Sequence, residues 1–109
     1  MVQLRPERPV ESVADVSRLL ETMLGGGATL LLEEDLGSGF FDLRTGLAGE
    51  LLQKFVNFRI PLAIVVSSPQ KHGTRFAELV HEHRGHPVVR FFGTEGEACE
   101  WLLAKETGG

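Results

Sequence analysis

The chain has 109 residues, a formal net charge of -4, an isoelectric point near 5.5 and a single cysteine. That length fits one compact domain with a real core, and the lone Cys99 excludes an internal disulfide framework and fits a reducing cytoplasm. Eleven basic residues scattered along an acidic chain argue against nucleic-acid binding and against an anionic membrane surface, since both need clustered Lys and Arg. No apolar stretch is long enough to span a bilayer, and residues 1–6 lack the apolar run of a secretory signal.

Residues 2–4 read as a short edge strand, after which Pro6 and Pro9 break the pattern. Ser12 opens a helix with Asp15 in the capping-box position and Val13, Val16, Leu19, Leu20 and Leu24 as its apolar stripe. Gly25, Gly26 and Gly27 stop it. Residues 28–32 form a continuous apolar run of the kind buried on both faces of a sheet. Residues 40–50 then read as an acidic strand-to-helix loop entering a helix whose first turn is almost bare of side chains. That helix is expected from Thr45 to Phe58, with Leu47, Leu51, Phe55 and Phe58 at helical spacing and Glu50 and Lys54 as an exposed pair. Residues 62–66 are a second buried strand, 74–84 a third helix and 88–92 a third strand. Thr94 caps the last helix with Glu97 in the capping-box position and Trp101 and Leu102 turned inward.

Strands alternating with helices over short connections predict a single α/β domain over residues 1–109, with a mostly parallel sheet of about four strands and four helices. Ligands of such sheets gather at the carboxyl ends of the strands, here residues 33–41, 67–72 and 93–94. The segment from Phe40 lies at that edge.

Several side chains there carry chemistry. The Thr45 hydroxyl suits a helix N-cap, which also favours an anion. Gly46, Ala48 and Gly49 let backbone approach a phosphate or let the helix pack closely on the sheet, and packing is the commoner cause. Glu33, Glu34, Asp35 and Asp42 repel an anion, with Arg44 as the adjacent counter-charge, whereas the same four acids are candidates for a ligand or a hard divalent cation. A receiver-type phosphotransfer site wants a lysine where this chain has Phe92 and Gly93. His81 and His83 are spaced i, i+2 and point to different faces, and with His86 they suit a helix C-terminus better than a metal. Ser67, Ser68 and His72 lack a nucleophile elbow and an orienting acid in sequence, and Cys99 reads as a small apolar residue. At least one of Phe40 and Phe41 is expected to turn inward and cover the core, and the other, if exposed, is a natural anchor for a partner.

From Leu30 to Val66 the chain resembles a bacterial family known as domain of unknown function 4180. The resemblance rests on the strand, the Glu33-Glu34 pair, Phe40-Phe41-Asp42-Leu43, a basic residue, Thr45-Gly46-Leu47-Ala48-Gly49-Glu50 and the strand from Leu62. The segment from Phe91 to Leu102 is similar as well. Members of that family resemble the STAS fold of anti-sigma factor antagonists, in which a hydroxyl at the equivalent turn is phosphorylated by a partner kinase. Asp42, Thr45, Gly46, Leu47 and Ala48 stand in similar order, with Leu43 and Arg44 in place of the first hydroxyl and one residue more before Thr45. A full member carries one further N-terminal strand, whose lack leaves a sheet edge open or paired.

The resemblance implies a cytoplasmic STAS-like interaction or regulatory module that needs no cofactor. Its contact surface is expected at Phe40, Phe41, Asp42, Arg44, Thr45, Gly46 and Gly49, and its partner is expected to be a protein such as a kinase or regulator, or a second copy in a homodimer. The alternative is a small enzyme or ligand- or metal-binding domain using the acidic crevice. The lack of a convergent nucleophile, base and oxyanion set favours the first.

Overall fold

The computed structural model describes residues 3–4, 9–23 and 27–107, with side chains described over 9–23 and 27–105. Val2, Leu24 and the first two glycines of the triplet lie outside the described residues. Three parallel strands make the body of the sheet: β2 (Ala28–Leu32), β3 (Leu62–Val65) and β4 (Val89–Phe92). A two-residue segment, β1 (Gln3–Leu4), runs parallel to the start of β2. The expected four-strand sheet is therefore three full strands with a short edge pairing.

Among the described residues five α-helices surround it rather than four: α1 (Val13–Met23), α2 (Ser38–Phe41), α3 (Leu47–Asn57), α4 (Thr74–Glu82) and α5 (Glu95–Thr107). The additional one, α2, is a single turn inside the segment read as a loop. Strand order follows chain order, so right-handed crossovers carry α3 and α4 over the same face of the sheet. There the buried Val16, Leu19, Leu51, Phe55 and Phe76 of α1, α3 and α4 cover Leu31, Leu62, Ile64 and Val89. The opposite face, Ala28, Leu30 and Ala63, is closed by Ala98 and Leu102 of α5. Both faces of β2 and β3 are thus buried, as a continuous apolar run requires.

Local chemistry sets the element ends. Asp15 accepts from the Ser12 amide at 3.2 Å while the Ser12 hydroxyl accepts from the Asp15 amide at 3.4 Å, a reciprocal cap for α1. The Thr94 hydroxyl accepts from the Glu97 amide at 3.3 Å and opens α5. α3 ends in a Schellman turn, with Arg59 at φ 55°, its amide donating to Val56 and the Ile60 amide donating to Phe55. Beyond the ends of the buried stripes Val13 is 53% exposed and Phe58 52%, so neither belongs to the core that periodicity assigned them to.

Two polar groups in this frame have measurable consequences. The Thr29 hydroxyl is wholly buried on β2 and has no hydrogen-bond partner among the described residues. Replacing it with a methyl of the same shape, Thr29→Val, removes a desolvation cost and raises stability by about 1 kcal/mol, read as a higher urea midpoint; an unchanged or lower midpoint contradicts the orphaned hydroxyl. His86 Nδ1 accepts from the amides of Val88 and Val89 at 3.1 and 3.2 Å, so the ring must be neutral with its hydrogen on Nε2. Burial first, and then the nearby His83, Arg90 and Lys105, push the His86 imidazole below its ordinary range. The unfolded state consequently takes up the proton first as pH falls. The contribution of His86 to stability is complete above an unfolded value of about 6.5 and is lost as pH drops through the lower folded value. In His86→Asn the acid-side decline of the unfolding midpoint becomes shallower than in the native chain; an identical slope would show that His86 does not carry it.

Candidate functional site

The carboxyl end of β2 opens into a connection of 3-10 turns and one α-helical turn. The first turn, Glu33–Asp35, is closed by the Asp35 carboxylate, which accepts from the Leu32 amide at 2.8 Å. Leu36 then bridges to Val10, and α2 follows. Phe40 is fully buried and Phe41 partly so, with Phe41 at the surface of an open cleft. The second turn, Leu43–Thr45, is capped by Asp42, whose carboxylate accepts from the Arg44 amide at 3.1 Å and from its guanidinium at 3.0 Å. Hydrogen bonding to Arg44 lowers the Asp42 pKa and raises that of Arg44. Both groups are exposed, so the pair shapes the turn more than it stabilises the fold.

Thr45 is exposed, and its hydroxyl lies at the centre of a small network. It sits 2.7 Å from the Gly39 carbonyl and 2.9 Å from the Asp42 carbonyl, to which it donates, and it accepts from the Leu47 amide at 3.2 Å. The helix starts two residues later than periodicity predicts, because Gly46 takes the left-handed conformation (φ 77°) between the 3-10 turn and α3. The N-cap position therefore falls to Gly46, and Thr45 serves the first amide of the helix from one residue further out. Ala48 packs against the core with no exposure. Gly49 does not: a Cβ there meets nothing within 4 Å, so helix packing, the expected cause, does not account for it.

The second wall comes from the connection between β3 and α4. A 3-10 turn, Pro69–His72, leads through Gly73 (φ 102°) into α4. The imidazole of His72 stacks on the Phe41 ring, with centroids 3.7 Å apart and planes 11° from parallel, and Phe76 meets both rings edge-on. His72 Nε2 lies 2.7 Å from Glu33 Oε2 across 39 residues of chain. A carboxylate oxygen accepts, so Nε2–H is the donor of this contact. Glu33 is thus the orienting acid for His72 that the sequence did not reveal.

Between these walls lies a cleft of about 700 Å³, bounded on one side by Phe41, Asp42, Leu43 and Arg44 and on the other by His72, Thr74, Arg75 and Phe76. It sits at the carboxyl edge where the sequence places it. The four acids do not converge there. Asp35 turns back onto Leu32, Asp42 onto Arg44 and Glu33 onto His72, and Glu34 is exposed. Among the described residues no three His, Cys, Asp or Glu side chains come together as a metal site, which includes His81, His83 and His86. Ser67 and Ser68 share no hydrogen bond with His72, and Cys99 packs beside the small core under α5. Arg75, which no sequence motif marks, joins the cleft without an ion-pair partner among the described residues; its only local signal is its position in the first turn of a helix.

The two glycines at the start of α3 separate by experiment. Gly46→Ala forces a side chain into a positive φ and lowers stability by about 1 kcal/mol, whereas Gly49→Ala adds a helix-favouring residue in open space and raises it by about 0.5–1 kcal/mol. Urea unfolding of both variants checks this; a destabilised Gly49→Ala would show a contact that the geometry lacks.

Among the described residues no helix is long and apolar enough to cross a membrane. No curated protein and no solved structure matches the chain. The sequence model of the family described as domain of unknown function DUF4180 matches residues 1–102, nearly the whole chain, and the protein belongs to that family.

Proposed function

We propose that this chain is a cytoplasmic STAS-like interaction and regulatory module whose contact surface is the segment 40–49 with the cleft beside it, and whose switch is Thr45. The observation that carries the reading is the Thr45 hydroxyl: exposed, and tied by one atom to Gly39, Asp42 and Leu47. A phosphate ester on that oxygen removes the hydrogen shared by two carbonyls, so the turn holding Phe41 must rearrange. The new charge stands at the start of α3, whose dipole favours it. The bare, exposed Gly49 supports the same surface, because a missing side chain lets a partner's backbone come close. A partner kinase or regulator fits this chemistry. A homodimer is a further form of it, since the outer edge of β4 has no paired strand among the described residues.

The His72–Glu33 pair favours a second reading, a ligand-binding domain or small enzyme built on the same edge. No serine, threonine or cysteine is hydrogen-bonded to His72 among the described residues, and this keeps the interaction module first.

Thr45→Glu and Thr45→Val separate charge from lost hydrogen bonding. Both lose the shared hydrogen and about 1 kcal/mol of stability, but only Thr45→Glu is expected to change which proteins co-purify with the tagged chain from its own cells, as counted by mass spectrometry. A folded Thr45→Glu with the native set of partners contradicts the switch.

A further inference from the structure

The cleft has a charge and a shape that together specify an occupant. Its rings are already ordered: Phe41 lies flat on His72, Phe76 closes edge-on against both, and Phe40 and Phe91 back Phe76 at 6.1 and 5.8 Å. His72 cannot turn freely, because Glu33 holds it. The volume of about 700 Å³ falls in the range of small-molecule sites and far exceeds what a single ion needs.

The charges then narrow the choice. Arg44 and Asp42 neutralise each other at 3.0 Å, and Glu33 lies behind His72. Among the described residues Arg75 is the cation of this cleft left over, on the first turn of α4, where no side chain caps the helix. One uncompensated positive charge beside a nearby carboxylate suits a monoanion and poorly suits a phosphate dianion or a cation. We propose that this cleft binds a small carboxylate with a flat apolar body, the body laid against Phe41 above the buried Phe76 and the carboxylate on Arg75. The guanidinium offers the fork geometry that a carboxylate accepts. A ligand so placed touches Phe41 and Arg44, two residues of the proposed contact surface. Its binding does not depend on that surface having a protein partner, because it is read on the isolated chain.

The test is a titration of the isotopically labelled full chain, followed by amide NMR, with 2-naphthoate, with the neutral 2-naphthylmethanol and with inorganic phosphate as probes. The expected result is saturable shifts confined to the amides around Phe41, Arg44 and residues 73–76, with naphthoate bound about tenfold more tightly than the alcohol and phosphate bound least. Arg75→Gln, a surface change that leaves the remaining spectrum native, abolishes the preference for naphthoate over the alcohol. Lack of saturable shifts, equal affinity for acid and alcohol, stronger binding of phosphate, shifts centred elsewhere, or an Arg75→Gln chain that keeps the preference each overturn the proposal.

Discussion

The stacking of Phe41 on His72, with Glu33 holding the imidazole from the other side, is the contact on which the carboxyl edge of this domain depends. A parallel sheet whose strands lie in chain order has no point at which the winding reverses, so topology alone supplies no crevice between the strand ends. The cleft arises instead because the connection after β2 is long enough to form three short turns and fold over toward the connection after β3. Aromatic stacking gives that meeting its geometry and the 2.7 Å hydrogen bond gives it register. Residues far apart in sequence thereby act as two walls of one site.

The same connection explains how an acidic segment bounds a cleft whose uncompensated charge is positive. Three carboxylates have side-chain or backbone partners: Asp35 on the Leu32 amide and Asp42 on Arg44 close by, and Glu33 on His72 across the cleft. What looks in sequence like a block of negative charge is, in the fold, a set of turn caps and side-chain holders. Arg75 enters from the neighbouring helix with none of this compensation. Thr45 works by the same economy of atoms, one hydroxyl satisfying three backbone groups of a turn that has no repeating ladder of its own.

Legibility in the sequence followed the range of the interaction. β2, β3 and β4 announced themselves by apolar runs and α1 and α5 by capping pairs, because these signals lie within a few residues of one another. α2 escaped because four residues are too few for a period. The start of α3 was placed two residues early because the left-handed Gly46 is a backbone event that no side-chain pattern records. Val13 and Phe58 kept the helical spacing but ran past the edge of the sheet that would have covered them. One wall of the cleft, Phe41 to Arg44, falls within the contiguous segment that the family motif marks. Of the other wall, His72 falls within the 67–72 edge marked by sequence, but its pairing with Glu33 is not marked. His72 and Glu33 meet across 39 residues, and Arg75 is an ordinary surface arginine until the cleft is formed around it.

The most direct test of the account is a double-mutant cycle between the two walls, with Phe41→Leu, His72→Gln and the double variant unfolded in urea. If the stack joins the connections into one unit, the two changes are coupled by about 0.5–1.5 kcal/mol, the double variant losing less than the sum of the singles. Additive losses within about 0.3 kcal/mol would show that the walls stand independently, and the cleft would then be a juxtaposition and not a built site.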